Sequence, residues 1–259
     1  MKKLFLASLI ALLFVAGIFA ARGRSPQIST LPQGNIPEDI SPTHPPPAKT
    51  VTVDNQTIGY AVFVVRAGQV SLIPNFTESK ASGQLMSEHS CRAGVNGGFY
   101  DAAGRPLGLF ESDGIGLRGI SASTLINGFF GVSRADVPFI NTGLPQASFR
   151  FVLQTGPLLV ADGAAVRLTI RADEHARRMI AATTTDNTMV FIALYQPESV
   201  FDGPLLGHVP EFVLAIGQKE SLAITNAINL DGGSASAFYT EQTTLSELTP
   251  VGSFFCVKS

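Results

Sequence analysis

Residues 228–239 of this 259-residue chain read INLDGGSASAFY, an apolar run that ends in an aspartate, two glycines and a series of small residues. Asp-Gly after a strand is a common hairpin signal, and Asp231 would then be a turn residue. The alternative is that Gly232 and Gly233 clear space for a ligand and leave backbone N–H groups pointing at it. Three further stretches couple a polar residue to bare backbone: VNGGFYDAAGRPLGL with Asn96, ESDGIGL with Asp113, and QTGPLLVADG with Gly156. Arg177 and Arg178 open a fifth, RRMIAATTTD. A guanidinium fork beside exposed amides is the chemistry that holds a phosphate or a carboxylate. Each glycine-punctuated stretch adjoins a buried strand, so their loops are expected to gather at one end of a sheet, where sites form.

The bulk numbers narrow the classes of function. Net charge is −2, which leaves no basic footprint for nucleic acid and no polybasic membrane patch. Charged residues make up 15 %, below the usual quarter, and hydrophobic residues 45 %, a balance that suits a strand-rich exported protein. Lys2 and Lys3 precede the apolar run LFLASLIALLFVAGIFA, which Arg22 and Arg24 close. Residues 1–24 are read as a signal peptide, with Val15, Ala16 and Gly17 the best cleavage site, or as an N-terminal membrane anchor. Either places the rest of the chain in the periplasm, outside the cell, or on the outer side of the inner membrane. Cys91 and Cys256 are the only cysteines. They could pair or stand as buried thiols, and no metal-ligand spacing surrounds them.

Residues 25–49, with SPTHPPPAK, are too polar and proline-rich to bury a core and are read as an extended linker. Folding is expected over residues 50–259. VTVDNQTIGYAVFVV has strand patterning with a turn at Asn55, and VSLIP, AGVN, LINGFFGVS, SFRFVLQ, GPLLVADG, AVRLTI, RRMIAATTT, TMVFIALYQ, AINL and SFFCVK follow as strands. VPEFVLAIGQK carries Val209, Phe212, Val213 and Ile216 on one helical stripe, and a looser helix is expected between Glu78 and His89. The sum is a single α+β domain with a mixed, mostly antiparallel sheet and two or three helices.

The five motifs, taken in order, resemble the phosphodiester glycosidase family. Asn96, Gly97, Gly98 and Phe99 match its Asn-Gly-x-Phe loop. Asp113 and Gly114 match its Ser-Asp-Gly, and Gly156 and Pro157 its Thr-Gly-Pro. Arg178 is assigned to the arginine of its Arg-x-x-Ile-Gly strand. Asn229, Asp231, Gly232, Gly233 and Ser236 match the closing Asn-Leu-Asp-Gly-Gly motif. Three features depart from the pattern: RRMIAATT lacks the strand's glycine, SAS replaces Gly-Ser-Ser, and LYQPESVFDGPLLGH lacks an Asp-Gly-Arg.

The resemblance implies a hydrolase acting where a sugar's anomeric carbon meets a phosphodiester. Such a bond breaks through an oxocarbenium-like transition state that a nearby carboxylate stabilises. Asp231 is the expected nucleophile or base, Asp113 the second candidate, and Arg178 the cation that neutralises the leaving phosphate. Asn96 and Asn229 would bond sugar hydroxyls, Phe99 or Tyr100 would offer an apolar face, and the glycines would admit the ligand to the backbone. No cofactor is implied, and a divalent cation beside Asp231 stays open. Cleavage of the P–O bond and a non-catalytic glycan-binding module are the competing readings. Arg177 is expected on a solvated face, because alternation along a strand turns it away from Arg178. Asp173, Glu174 and His175 are read as a charged surface loop, Asp162 as a turn, and His208 as a surface or capping residue. No G-x-S-x-G elbow accompanies Ser234.

Overall fold

The structure is a computed structural model that describes residues 49–258, so the N-terminal apolar run and nearly all of the linker lie outside the described residues. Lys49–Val53 (β1) and Gln56–Arg66 (β2) form the opening hairpin, and Lys49, assigned above to the linker, already pairs with Tyr60. Asp54 and Asn55 turn it at φ 48° and 62°, as a two-residue loop with both central φ angles positive requires. Val70–Pro74 (β3) follows, then Ser82–Glu88 (α1) where the apolar spacing loosens, then the buried Ala93–Asn96 (β4). Next come Phe110–Ser112 (β5), Ile115–Arg118 (β6), Gly128–Ser133 (β7), Pro138–Asn141 (β8) and Phe149–Thr155 (β9). Leu158–Ala161 (β10), Ala164–Ala165 (β11), Arg178–Thr184 (β12) and Thr188–Tyr195 (β13) lead to the long helix Val209–Lys219 (α2). Ile224–Asn229 (β14), Phe238–Tyr239 (β15), Thr244–Leu245 (β16) and Ser253–Val257 (β17) complete the chain.

Three sheets result. One has seven strands in the order β1-β2-β13-β12-β14-β10-β11; the others have five each, β16-β15-β4-β17-β3 and β6-β5-β9-β7-β8. Every strand pair among the described residues is antiparallel, so the expected mixed sheet is corrected. Hairpin loops of two residues suffice for antiparallel neighbours such as β1–β2 and β5–β6, whereas parallel neighbours need long crossovers. With two α-helices among the described residues, the fold is α+β only in a loose sense and is dominated by sheet. AVRLTI, expected as a full strand, contributes only Ala165, to the edge pair Ala164–Ala165. ESDGIGL, read as a site loop, is instead a hairpin of β5 and β6.

The seven-stranded sheet is covered on both faces. On one, the α2 stripe of Val209, Phe212, Val213 and Ile216 packs on Ile58, Tyr60, Ile180, Val190 and Ile192. On the other, Met179, Ala181, Phe191 and Ala193 meet Phe130, Phe151, Phe238 and Phe255 from the two smaller sheets. Phe255 lies 5.3 Å from both Phe130 and Phe191, centroid to centroid. Strand alternation therefore sends Ile180 toward the helix and Met179 toward the other sheets. The same alternation decides where the two arginines at the start of β12 go.

Cys91 and Cys256 form a disulfide with their Cα atoms 5.3 Å apart, tying β17 to the segment before β4 across 165 residues of sequence. Closing so long a loop removes much of the unfolded chain's freedom. Replacing both cysteines with serine is expected to cost about 2–4 kcal/mol of stability, read as a lower urea midpoint with a steeper slope, because the unfolded chain without the cross-link exposes more surface.

Candidate active site

Asp231 is held by backbone before its side chain does anything. Leu230 N–H donates to the Met179 carbonyl at 2.8 Å, Asp231 N–H to Gly97 O at 3.1 Å, and Gly233 N–H to Arg177 O at 2.9 Å. The end of β14 is thus stitched to β12 on one side and to the loop after β4 on the other. At Gly232 an added Cβ would lie 2.7 Å from the Arg177 carbonyl oxygen, so the close approach requires glycine. Asn96 completes the stitch. Its Nδ2 donates to Asp231 O at 2.8 Å and Gly97 O at 3.1 Å, and its Oδ1 accepts from Ala237 N–H at 2.9 Å.

The Asp231 side chain accepts one hydrogen bond, from Gly232 N–H to Oδ1 at 2.9 Å, and has no other partner among the described residues. Burial pushes its carboxyl up to about 7, and the Gly232 bond opposes this only in part. It lines a cavity of about 460 Å³ together with Arg178, Asn229, Gly232 and Gly233. Asn229 donates from Nδ2 to Gly156 O at 3.1 Å and from its backbone N–H to Pro157 O at 3.0 Å, around a cis Gly156–Pro157 peptide. Its Oδ1 is buried without a partner, an acceptor available to a ligand hydroxyl. Gly156 also lines the cavity; a Cβ there would meet Leu125 O at 2.5 Å.

Arg178 sits on the helix-side face of β12. Its Nε donates to Pro204 O at 3.2 Å, and Nη2 bonds Glu174 O and pairs with Asp173 Oδ1 at 3.4 Å. Nη1 has no protein partner among the described residues. Burial lowers the guanidinium's pKa, with Asp173 and Glu174 opposing. Asp173 also accepts from Leu206 N–H at 3.0 Å and Gly207 N–H at 2.8 Å, fixing the turn that brings Leu206 to the cavity. The segment expected to be a solvated charged loop therefore braces the site. Arg178 and Asp231 share the cavity without pairing to each other.

Several expected site residues lie elsewhere. Asp113 is the first residue of the β5–β6 turn, at φ 50°, and faces a separate depression with Ile115, Leu117 and Lys258. A positive φ there is what the turn demands, so the hairpin reading holds for Asp113. Asn96 is fully committed to backbone and is not free to bond a sugar. Gly97 and Gly98 lie beneath the cavity: a Cβ would meet Ser253 Oγ at 2.2 Å from the first and Leu153 Cδ1 at 2.7 Å from the second. Tyr100 turns away and donates its hydroxyl to Pro250 O at 2.6 Å, leaving Phe99 as the aromatic on the wall. Ser236 is buried and occupied with Arg177.

Arg177 corrects the largest misreading. It is 0 % exposed, because residues with the parity of Met179 face the inner sheets and not solvent. Nε donates to Ser236 Oγ at 2.8 Å, Nη2 to the carbonyls of Ser236 and Ser246, the latter at 2.7 Å, and the guanidinium stacks 4.9 Å over Phe201. Burial pushes it down to about 10, and Nη1 is buried without a partner. It pins the segment after Asp231 from behind. The signal was present in the spacing: Arg-x-x-Ile is met by Arg177 with Ile180, not by Arg178. Gln154 was also missed. Its Nε2 donates to Ser121 O at 2.7 Å and Ile126 O at 3.0 Å, holding the 119–127 segment as one wall.

The family profile for phosphodiester glycosidases matches residues 89–258. The chain belongs to that family. No curated protein matches. Among solved structures, it is similar to the zebrafish N-acetylglucosamine-1-phosphodiester alpha-N-acetylglucosaminidase catalytic domain auto-inhibited by pro-peptide. Identity there is 17 %, TM-score 0.64, and coverage 82 % of this chain and 81 % of that one. A hypothetical protein from Synechocystis matches with 14 % identity and TM-score 0.54, over 82 % of this chain and 61 % of its own. At such identities the likeness is one of fold. Among the described residues of this phosphodiester glycosidase domain, no three His, Cys, Asp or Glu side chains gather as metal ligands would.

Arg177→Ala strands the buried Ser236 carbonyl, removes the bonds to Ser236 Oγ and Ser246 O, and opens a void. It is expected to cost roughly 2–4 kcal/mol in chemical denaturation, with Arg177→Lys recovering only part of this because ammonium lacks the planar fork.

Proposed function

We propose that the chain is an exported hydrolase that cleaves the glycosidic C–O bond of a sugar-1-phosphodiester. The observation that supports this best is the shared cavity, in which a carboxyl and a guanidinium face the same space without neutralising each other. A phosphodiester entering that space meets Arg178 Nη1 with its anionic oxygens and presents the anomeric carbon to Asp231. As the C–O bond lengthens, positive charge grows on the sugar and negative charge on the phosphate, so each group meets the charge opposite to its own. The phosphate departs readily, which lessens the need for a strong general acid. Asp231, with a carboxyl near 7, suits a nucleophile or a base that activates water. Asn229 Oδ1 would accept a sugar hydroxyl, and Phe99 would lie against a ring face. The linkage itself comes from the family and from the zebrafish protein's name. Export is supported by the N-terminal pattern of Lys2, Lys3 and the apolar run, and by a disulfide that suits an oxidising compartment.

Hydrolysis of α- and β-linked sugar-1-phosphodiesters in oxygen-18 water tests this. The label is expected on the free sugar, and label on phosphate would mean P–O cleavage and overturn the proposal. Asp231→Asn should lose roughly 10³-fold or more in kcat. Because Asp231 must be ionised to act, kcat/KM should rise with pH through about 7 and then level; a falling limb there would make Asp231 the acid instead. The same group also affects stability. The folded chain holds this proton more tightly than the unfolded one, so stability is lost as pH rises from the ordinary value of 3.8 to about 7. Asp231→Asn should therefore raise the melting temperature, by more at pH 8 than at pH 5.

A further inference from the structure

The cavity is lined by few polar side chains: Asp231, Asn229 and Arg178, with Ser121 and Ser123 on the segment that carries Leu125 and Ile126. Its walls are Phe99, Leu107, Leu125, Ile126, Pro157 and Leu206. The apolar side reaches solvent at Leu125, which is 66 % exposed whereas the adjacent Ile126 is buried; Ile120, 62 % exposed, belongs to the same segment outside the cavity lining. Gln154 holds this segment through Ser121 and Ile126, so the apolar lip is a fixed surface. The volume, about 460 Å³, falls among sites that enclose drug-sized ligands.

We infer that the group esterified to the far side of the phosphate is an apolar chain of alkyl or prenyl type, lying along Leu107 and Leu206 and leaving past the exposed Leu125. The inference rests on the sugar-1-phosphodiester reading and adds the class of aglycone. A second sugar in that position would set most of its hydroxyls against Leu107, Leu125, Ile126 and Leu206, with only Ser121 and Ser123 on that side to receive them. A hydrocarbon meets no such penalty. Each methylene taken out of water against the wall is worth roughly a three- to fourfold gain in binding.

The test uses decyl phosphate, below its micelle concentration, and methyl phosphate, titrated calorimetrically into the protein. Decyl phosphate is expected to bind at least tenfold more tightly. Ile120→Ser combined with Leu125→Ser should lower that ratio at least threefold; both side chains are largely exposed, and an unchanged melting temperature confirms the fold. Ile115→Ser with Leu117→Ser, on the separate depression beside Asp113, should leave the ratio as it is. Equal binding of the two phosphates overturns the inference, whether the sugar alone fills the groove or another segment covers it. So does a ratio that responds to Ile115 and Leu117 and not to Ile120 and Leu125. Matched methyl and decyl diesters of N-acetylglucosamine 1-phosphate then separate the two proposals. Release of free sugar from both at equal kcat/KM leaves the glycosidase reading standing and overturns the apolar aglycone. A decyl preference in binding with no free sugar from any diester tested does the reverse.

Discussion

The site depends on a backbone knot. Asp231 hangs between β12 and the loop after β4, through Asp231 N–H to Gly97 O, Gly233 N–H to Arg177 O, and the Asn96 side chain to Asp231 O. These bonds tie segments more than fifty residues apart in sequence, so the carboxyl is aimed by the meeting of two sheets and not by a local turn. The glycines follow from the same constraint, since strands that approach this closely leave no room for a Cβ at Gly232 or Gly97. A side chain introduced at Gly232 would push the Asp231 segment off the Arg177 carbonyl, and one at Gly97 would collide with Ser253 on β17.

Electrostatics in the site is governed by what is withheld. Two arginines stand side by side in sequence, yet neither forms an ion pair with Asp231. Arg178 is taken partly by Asp173 and by carbonyl oxygens, and Arg177 is buried beneath Ser236, Ser246 and the partly exposed ring of Phe201. Asp231 is left with one amide and a low-dielectric wall, and its carboxyl rises accordingly. A carboxylate already neutralised by arginine would be a poor base and a weak stabiliser of a developing cation. Keeping the charges apart across an empty cavity leaves each to be matched by the substrate.

Much of this was legible in the sequence because it is written in local periodicity. The hairpin at Asp54 and Asn55, the α2 stripe and the buried run of β12 and β13 follow from side-chain alternation and turn chemistry alone. Asn229, Asp231, Gly232 and Gly233 line the cavity, as does Arg178, although the family's Arg-x-x-Ile spacing falls on Arg177. Other features depend on partners distant in the chain and leave no local trace. Nothing around Asn96 states that its amide will be consumed by Asp231 and Ala237, or that the 119–127 segment will be held by Gln154. Asp113 misled for the opposite reason: Asp-Gly is the same dipeptide at a hairpin tip and at a site, and only the pairing of β5 with β6 distinguishes them. Alternation correctly separated Arg177 from Arg178. It could not say that both faces of β12 are covered, which is why the arginine expected in water lies in the core.

The central claim is that Asp231 and Arg178 face one space and that an anion held by the second is felt by the first. Carbon-13 NMR titration of the Asp231 carboxyl, with and without inorganic phosphate, measures this directly. The account predicts a midpoint near 7 that moves higher when phosphate binds, and no such movement in Arg178→Gln. A midpoint near the ordinary 3.8, or one indifferent to phosphate in the unaltered protein, would contradict it.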